Sequence, residues 1–164
     1  MIVGVKRARI PQKEVLTNLL EKYEYELSQY DNRTFDAQGL FNYEYLNNYF
    51  NDEDRFAYLI YSNGRIAGFV LINKIPECEQ PCDWTVAEIF IAYPYRRKRI
   101  ASRAMVEIFK HHTGFWHIKC LNKNTGSVGF WSNMAQAVAK NKVEVYKTRE
   151  FCNNMLGKVL VFET

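Results

Sequence analysis

Residues 84–105 read WTVAEIFIAYPYRRKRIASRAM, and this segment predicts the architecture of the whole chain. Residues 84–93 are nearly continuous in apolar residues except for Glu88, so both faces of a strand would be apolar, a pattern typical of a central strand. A basic turn at 95–99 follows, and apolar residues then recur at helical spacing. The next apolar run, 115–121, again predicts a strand. Strand, turn, helix and strand in this order predict a crossover that makes the two strands parallel neighbours.

The remaining sequence predicts a mixed α/β protein around this unit. The predicted strands are 2–9, 56–62, 65–74, 84–93, 115–121, 143–148 and 158–163, and the predicted helices are 11–30, 42–50, 100–112 and 125–139. The pair Asn63-Gly64 between two of these strands predicts a two-residue hairpin turn, because both residue types tolerate positive φ.

Composition indicates one globular domain over residues 1–164, with 48% hydrophobic and 24% charged residues. No apolar run approaches the roughly 20 residues that a membrane-spanning helix requires, and the N-terminus lacks the pattern of a secretory signal. We therefore expect a cytoplasmic protein with no membrane partner. Its four cysteines should then be reduced thiols. They are Cys78, Cys82, Cys120 and Cys152. The close pair lacks two further ligands at zinc-site spacing, so we expect no metal.

The basic turn joins the end of a buried strand to the start of a helix. Free backbone N–H groups and the positive end of a helix dipole make this position suited to a phosphate. The cationic side chains there are Arg96, Arg97, Lys98 and Arg99. Charge alone, +4 over the chain, fits a solvated basic loop or a nucleic-acid patch equally well, whereas the location favours a pyrophosphate cradle.

Glu88 is the single ionisable residue of the most apolar strand, and alternation places it on one face with Val86 and Phe90. Burial there would raise its pKa toward the range of a general base. The alternative is a glutamate satisfied by a neighbouring lysine, arginine or backbone group.

Residues 87–131 resemble the core of the GNAT superfamily of N-acetyltransferases. The family signature Arg/Gln-x-x-Gly-x-Gly/Ala is matched by Arg96-x-x-Arg99-x-Ala101, and an Asn followed by an aromatic seven residues later is matched by Asn124 and Trp131. The resemblance implies a mixed, mostly antiparallel central sheet with a splayed parallel strand pair, flanked by about four helices.

The resemblance also implies transfer of an acetyl group from acetyl-CoA, as co-substrate, to a primary amine of a small molecule, amino acid or peptide by direct attack. Glu88 is then the candidate base and Asn124 a candidate for orienting cofactor or substrate. The cofactor contacts that the resemblance implies are Ile89, Phe90, Ile91, Arg96, Arg97, Lys98, Arg99, Ile100, Ala101, Ser102, Asn124 and Trp131.

Two residues depart from the family pattern. Arg99 stands where the family usually has glycine, and Trp131 stands where many members have a tyrosine that protonates the leaving thiolate. An indole N–H cannot supply that proton, and Tyr146 or Tyr93 could substitute. These departures keep open a degenerate member that binds CoA without turnover. A nucleic-acid-binding module is a further, weaker alternative.

The acceptor region is expected near the first helices, where aromatic rings and carboxylates together suit a cationic amine. These residues are Tyr23, Tyr25, Tyr30, Tyr43, Tyr45, Tyr49, Glu44, Asp52, Glu53 and Asp54. The alternative is that these tyrosines belong to the core and its rim and that the acidic residues are solvated, which would give the same sequence pattern. Residues 159–162 could form a sheet edge for a homodimer, although periodicity does not distinguish such an edge from core.

Overall fold

A computed structural model describes residues 1–149 and 154–164 of the chain. Cys152, predicted to be a reduced thiol, lies outside the described residues. Cys78, Cys82 and Cys120 are free thiols.

The order of helices and strands agrees with the predicted order. The strands are β1 Val3–Arg7, β2 Arg55–Ser62, β3 Arg65–Asn73, β4 Trp84–Ile91, β5 Phe115–Leu121, β6 Glu144–Thr148 and β7 Gly157–Glu163. The α-helices are α1 Lys13–Asp31, α2 Asn48–Asn51, α3 Ile100–His111 and α4 Thr125–Val138, and short 3-10 helices span Ile10–Gln12 and Tyr93–Tyr95. Asn63 and Gly64 both have positive φ, 49° and 80°, which confirms the predicted hairpin turn between β2 and β3.

The strands form one sheet in the order β1-β2-β3-β4-β5-β7-β6. β4 and β5 are parallel neighbours, as the crossover predicts, and their pairing joins Trp84–Val86 to Trp116–Ile118. This ladder of three residue pairs is shorter than either strand. The pairs β1–β2, β5–β7 and β6–β7 are antiparallel. Of the two possibilities left open for 159–162, the structure shows the interior one: β7 pairs with β5 on one side and with β6 on the other.

The second predicted helix, 42–50, is much shorter than expected. Only α2, Asn48–Asn51, is helical, and it ends one residue beyond the predicted range. Asn42 has a left-handed φ of 55°. Its N–H and that of Phe41 donate to the Glu21 carboxylate, at 2.8 and 2.7 Å. The first N–H groups of a helix have no partner within that helix. Here two such N–H groups donate to a side chain of α1, and these hydrogen bonds hold the segment in an irregular conformation.

The chain divides into two compact units, residues 1–71 with 88–101 and residues 72–87 with 102–164. The boundaries fall inside β3, β4 and α3. A single domain over the whole chain stays a prediction.

An aromatic trio organises the core of the first unit. The ring of Tyr23 in α1 meets Phe69 of β3 and Phe90 of β4 edge-on, at centroid distances of 5.8 and 6.4 Å, and the two phenylalanine rings are 5.9 Å apart. Phe69 is fully buried, together with Leu16 and Leu20 of α1. These contacts fix the face of α1 that points at β4.

Aromatic packing also organises the core of the second unit. Phe109 of α3 contacts Trp116 of β5 and Phe162 of β7, with centroids 4.8 and 5.8 Å apart. Trp116 is fully buried and its indole N–H donates to the carbonyl of His112 and to the hydroxyl of Thr164. A buried polar atom is thereby satisfied at the end of the helix.

Gly68 in β3 permits a close approach to β4. A Cβ at this position would lie 1.9 Å from the Phe90 carbonyl oxygen, a backbone atom that cannot turn aside. A larger residue would therefore push apart the strands that carry the aromatic trio.

We predict that Gly68→Ala lowers the free energy of unfolding by about 3 kcal/mol, because the added methyl overpacks two backbones. Gly129→Ala is the matched control: Gly129 lies inside α4 with open space around its would-be Cβ. It should stabilise by about 0.8–1 kcal/mol through helix propensity. Urea unfolding of both variants measures the two shifts. Equal stability of Gly68→Ala and wild type would contradict the close approach.

Candidate active site

The Glu88 carboxylate of β4 receives two tyrosine hydroxyls. Tyr23 donates to Oε2 in a short hydrogen bond, and Tyr43 donates to Oε1 at 3.2 Å. Burial raises the pKa of Glu88 to about 7, although both hydrogen bonds favour the ionised form and lower it. The partners of Glu88 are thus phenols rather than the lysine, arginine or backbone group of the alternative interpretation. A carboxylate that titrates near neutral pH can act as a general base.

The two phenols are held in place by different elements. Tyr23 is fixed by its ring contacts with Phe69 and Phe90. Tyr43 follows the segment that Glu21 holds to α1. Burial and the neighbouring Glu88 charge raise the pKa of both hydroxyls above the ordinary value, so both stay protonated and donate.

Two ion pairs join an exposed arginine to buried carboxylates at the end of α1. The Arg33 guanidinium contacts Glu24 and Asp31, each at 2.6 Å. Glu24 is 4% exposed, and burial raises its pKa. After burial and the Tyr23 hydrogen bond, the pKa of Glu88 is raised by the Glu24 charge and lowered by the Arg33 charge. The ionisation of Glu88 is therefore adjusted by the charge of Glu24 on α1 and by that of Arg33, which follows this helix.

The basic turn has the backbone that an anion cradle needs. Arg97 and Arg99 both have φ of 58°, the left-handed conformation that glycine adopts most easily. Arg99 therefore takes a glycine-like conformation at the position where the family usually has glycine. α3 begins directly afterwards at Ile100, and the N–H groups of its first turn have no partner within the helix. The side chains of Arg97, Lys98 and Arg99 are exposed.

Arg96 has a different role from its three neighbours. Its guanidinium makes a two-pronged ion pair with Glu26 of α1, at 2.6 and 2.5 Å, and donates from Nε to the Ile91 carbonyl. It also stacks over the Tyr93 ring, 4.1 Å from the centroid. Arg96 therefore links the turn to α1 through an ion pair. Lys98 donates to the carbonyl of Pro94, which further closes the turn.

The remaining predicted cofactor residues lie on β4 and at the start of α3. Phe90 and Ile100 are buried, whereas Ile89, Ile91, Ala101 and Ser102 are partly exposed. The Ala92 N–H donates to Ala67 at 2.9 Å, so the end of β4 stays bonded to β3.

The predicted site residues of the second unit lie on α4 and β6. The Asn124 side-chain oxygen accepts the Ser127 N–H at 3.0 Å and caps α4. Trp131 is 3% exposed and packs on Phe130. Tyr146 on β6 donates its hydroxyl to Glu144, and this hydrogen bond raises the pKa of the phenol.

The predicted acceptor residues separate into groups. Tyr23 and Tyr43 bind Glu88, and Tyr49 is buried. Tyr25 and Tyr45 are exposed and Tyr30 is partly exposed. Asp52 pairs with Arg55 at 3.3 Å, while Glu44, Glu53 and Asp54 are exposed.

The sequence did not predict the ion pair between Glu26 and Arg96. It also did not predict that Tyr23 and Tyr43 donate hydrogen bonds to Glu88. The available signal was helical spacing, because Tyr23 and Glu26 lie three residues apart on one face of α1.

Two classes of site are absent from the described residues. In residues 1–149 and 154–164 no three His, Cys, Asp or Glu side chains are grouped so that they could hold a metal ion. No helix in the same residues is long and apolar enough to span a membrane.

Solved structures similar to this chain are acetyltransferases. A GNAT-family acetyltransferase from Streptococcus agalactiae superposes with a TM-score of 0.73 at 10% identity, over 99% of this chain and 95% of that one. An aminoglycoside N(6′)-acetyltransferase from Legionella pneumophila superposes with 0.70 at 15% identity, over 98% and 91%. The PaiA N-acetyltransferase from Thermoplasma acidophilum, in complex with coenzyme A, superposes with 0.65 at 11% identity, over the full length of both chains. At these identities the likeness establishes the fold.

Sequence comparison supplies the family. No curated protein sequence matches the chain significantly. The model of the acetyltransferase (GNAT) family matches residues 15–135, which is well over half of the chain. The matched range contains the Glu88 group, the basic turn and the cap of α4. With the fold in agreement, the chain belongs to the acetyltransferase (GNAT) family, whose members are acetyl-CoA-dependent N-acetyltransferases.

Proposed function

We propose that this protein is an active N-acetyltransferase that moves an acetyl group from acetyl-CoA to a primary amine of a small molecule, amino acid or peptide by direct attack. The observation that carries the proposal is the partly buried Glu88 carboxylate, which accepts hydrogen bonds from two phenols and whose pKa is raised to about 7. A base needs this property to accept a proton from an amine at neutral pH. Glu88 lies on β4, the strand that leads into the basic turn.

The turn fits the phosphates of the co-substrate. Two left-handed residues, Arg97 and Arg99, precede α3, and exposed cationic side chains lie beside the first N–H groups of this helix, which have no partner within it. The amides from Arg97 to Ser102 would hold the pyrophosphate, with Arg97 and Arg99 adding charge. Arg96 acts from behind by fixing the turn to Glu26. Ile89, Phe90 and Ile91 would offer backbone groups to the pantetheine arm, and the Asn124 amide and Trp131 stay proposed cofactor contacts.

Glu88 would carry the proton of the reaction. Bound acetyl-CoA supplies an activated thioester. As the new C–N bond forms, the amine gives a proton to the Glu88 carboxylate directly or through one water. Backbone N–H groups would hold the oxyanion. Because a thiol of pKa about 8.5 leaves largely as the thiolate, a proton donor is helpful and not essential. Tyr146 is the proposed donor, weakened by its bond to Glu144.

We predict that Glu88→Gln lowers kcat at least about 100-fold and changes the pH profile. With an aliphatic amine of pKa near 10, wild-type kcat/KM should rise about 100-fold per pH unit below pH 7, since both amine and Glu88 must lose a proton. Above pH 7 it should rise about tenfold per unit, because Glu88 is then ionised. The variant should rise about tenfold per unit throughout.

Glu107→Gln, which alters an exposed carboxylate of α3 that has no role in the proposed site, is the matched control and should behave as wild type. Thiol release from acetyl-CoA with each amine is the measurement. CoA binding without thiol release by wild type would favour the degenerate, non-catalytic alternative. A wild-type profile lacking the change of slope near pH 7 would contradict Glu88 as the base.

We predict that Glu26→Gln weakens CoA binding about tenfold, because the turn loses the ion pair between Arg96 and Glu26 that holds it to α1. Calorimetric titration with CoA measures the effect. Glu107→Gln, which removes an exposed ion pair with Lys110 and His111 on α3, is the control and should leave the affinity unchanged. Equal affinities of Glu26→Gln and wild type would show that Arg96 does not position the turn.

A further inference from the structure

A cavity of about 960 Å³ lies within the first unit. One wall is α1, which presents Tyr25 and Glu26. The second is the segment after α1, with Phe35, Leu40 and Phe41, and the third is the end of β4 with its following turn, from Phe90 to Pro94. The volume is that of a pocket for a small organic molecule rather than for a water or an ion.

Hydrogen bonds and an aromatic contact hold the wall that the segment after α1 forms. Glu21 accepts the N–H groups of Phe41 and Asn42 and ties the segment to the helix. Asp36 accepts the N–H groups of Gln38 and Leu40, at 2.8 and 3.0 Å. The Phe35 and Phe41 rings meet edge-on at 5.9 Å. The segment therefore keeps two aromatic rings together at the cavity.

The charged groups of the walls are already engaged. Glu26 is paired with Arg96, Glu21 with backbone amides, and the Lys22 ammonium with the Asn18 carbonyl. What the cavity offers is apolar and aromatic surface, much of it exposed: Phe35 is 52% exposed, Leu40 43% and Tyr93 74%. An apolar patch rimmed by satisfied polar groups is typical of a site for an apolar ligand.

One lining residue of the cavity is a neighbour of the proposed base on β4. Phe90, one of its lining residues, stands two positions after Glu88 on the same face of β4. The Phe90 ring also contacts Tyr23, whose hydroxyl binds Glu88. A group seated among the aromatic rings would place an attached amine toward the carboxylate.

We propose that this cavity selects the acceptor, and that the acceptor is a primary amine joined by a short chain to an apolar, preferably aromatic, group. The inference rests on the proposed function. A substrate with several positive charges would need unpaired carboxylates, and those of the cavity walls are engaged. An aromatic group gains instead by covering the rings of Phe35, Phe41 and Tyr93.

Thiol release with 2-phenylethylamine, ethylamine and 1,4-diaminobutane tests the proposal. Burying a phenyl group contributes about 2 kcal/mol, which corresponds to about 30-fold in kcat/KM for 2-phenylethylamine over ethylamine. Phe35→Ala should lower kcat/KM for 2-phenylethylamine about fivefold and leave ethylamine unchanged. Ile66→Ala, an exposed apolar residue of β3 outside the cavity, is the control and should alter neither.

Saturation-transfer NMR of 2-phenylethylamine with the protein alone separates this inference from the proposed function. Binding that weakens in Phe35→Ala supports the cavity assignment even if no amine is acetylated, in which case the proposed function fails by itself. Acetylation of ethylamine or 1,4-diaminobutane as efficiently as 2-phenylethylamine, with no effect of Phe35→Ala, would overturn the cavity assignment and leave the acetyltransferase proposal standing.

The same chemistry could come from a free arylalkylamine or from a peptide whose first residue is aromatic. A tripeptide with N-terminal phenylalanine, assayed beside 2-phenylethylamine, distinguishes these sources. Faster acetylation of either one over ethylamine supports the cavity assignment and identifies the source.

Discussion

The partly buried Glu88 carboxylate, hydrogen-bonded to Tyr23 and Tyr43, is the constraint around which the proposed site is arranged. Raising the pKa of a glutamate from 4.5 to about 7 corresponds to about 3 kcal/mol of stability. That contribution is fully present below pH 4.5 and is lost as the pH rises from 4.5 through 7, where the folded protein must ionise a partly buried carboxyl. Packing elsewhere in the fold offsets this loss, and the phenolic hydrogen bonds keep it from being larger.

Helix α1 organises the surroundings of this carboxylate. Tyr23 reaches Glu88, Glu26 reaches Arg96 and fixes the basic turn, and Glu21 reaches the segment that carries Tyr43. Three side chains within six positions of one helix thus hold three separate parts of the proposed machinery. The aromatic packing of Tyr23 on Phe69 and Phe90 keeps the helix in the required rotation. The proposed catalysis and the proposed acceptor selection therefore both depend on how α1 packs.

Much of the fold follows from local sequence. The apolar run of β4, the helical spacing of α3 and the pair Asn63-Gly64 predict their structures, because period and turn chemistry are local properties. Partners separated by long stretches of chain were not predictable in this way: Tyr23 and Tyr43 lie 65 and 45 residues from Glu88. α2 is short because Glu21 captures backbone donors, and β7 is interior because β6 pairs with it. Both facts arise from tertiary contacts.

The most direct test of the account is an NMR titration of the Glu88 side-chain carboxyl carbon in wild type and in Tyr23→Phe. The midpoint should lie near pH 7 in wild type and higher in Tyr23→Phe, because the variant loses the hydrogen bond that favours the ionised form. Glu88→Gln identifies the resonance. A wild-type midpoint near 4.5, unchanged in Tyr23→Phe, would mean that Glu88 is solvated and would contradict its role as the base.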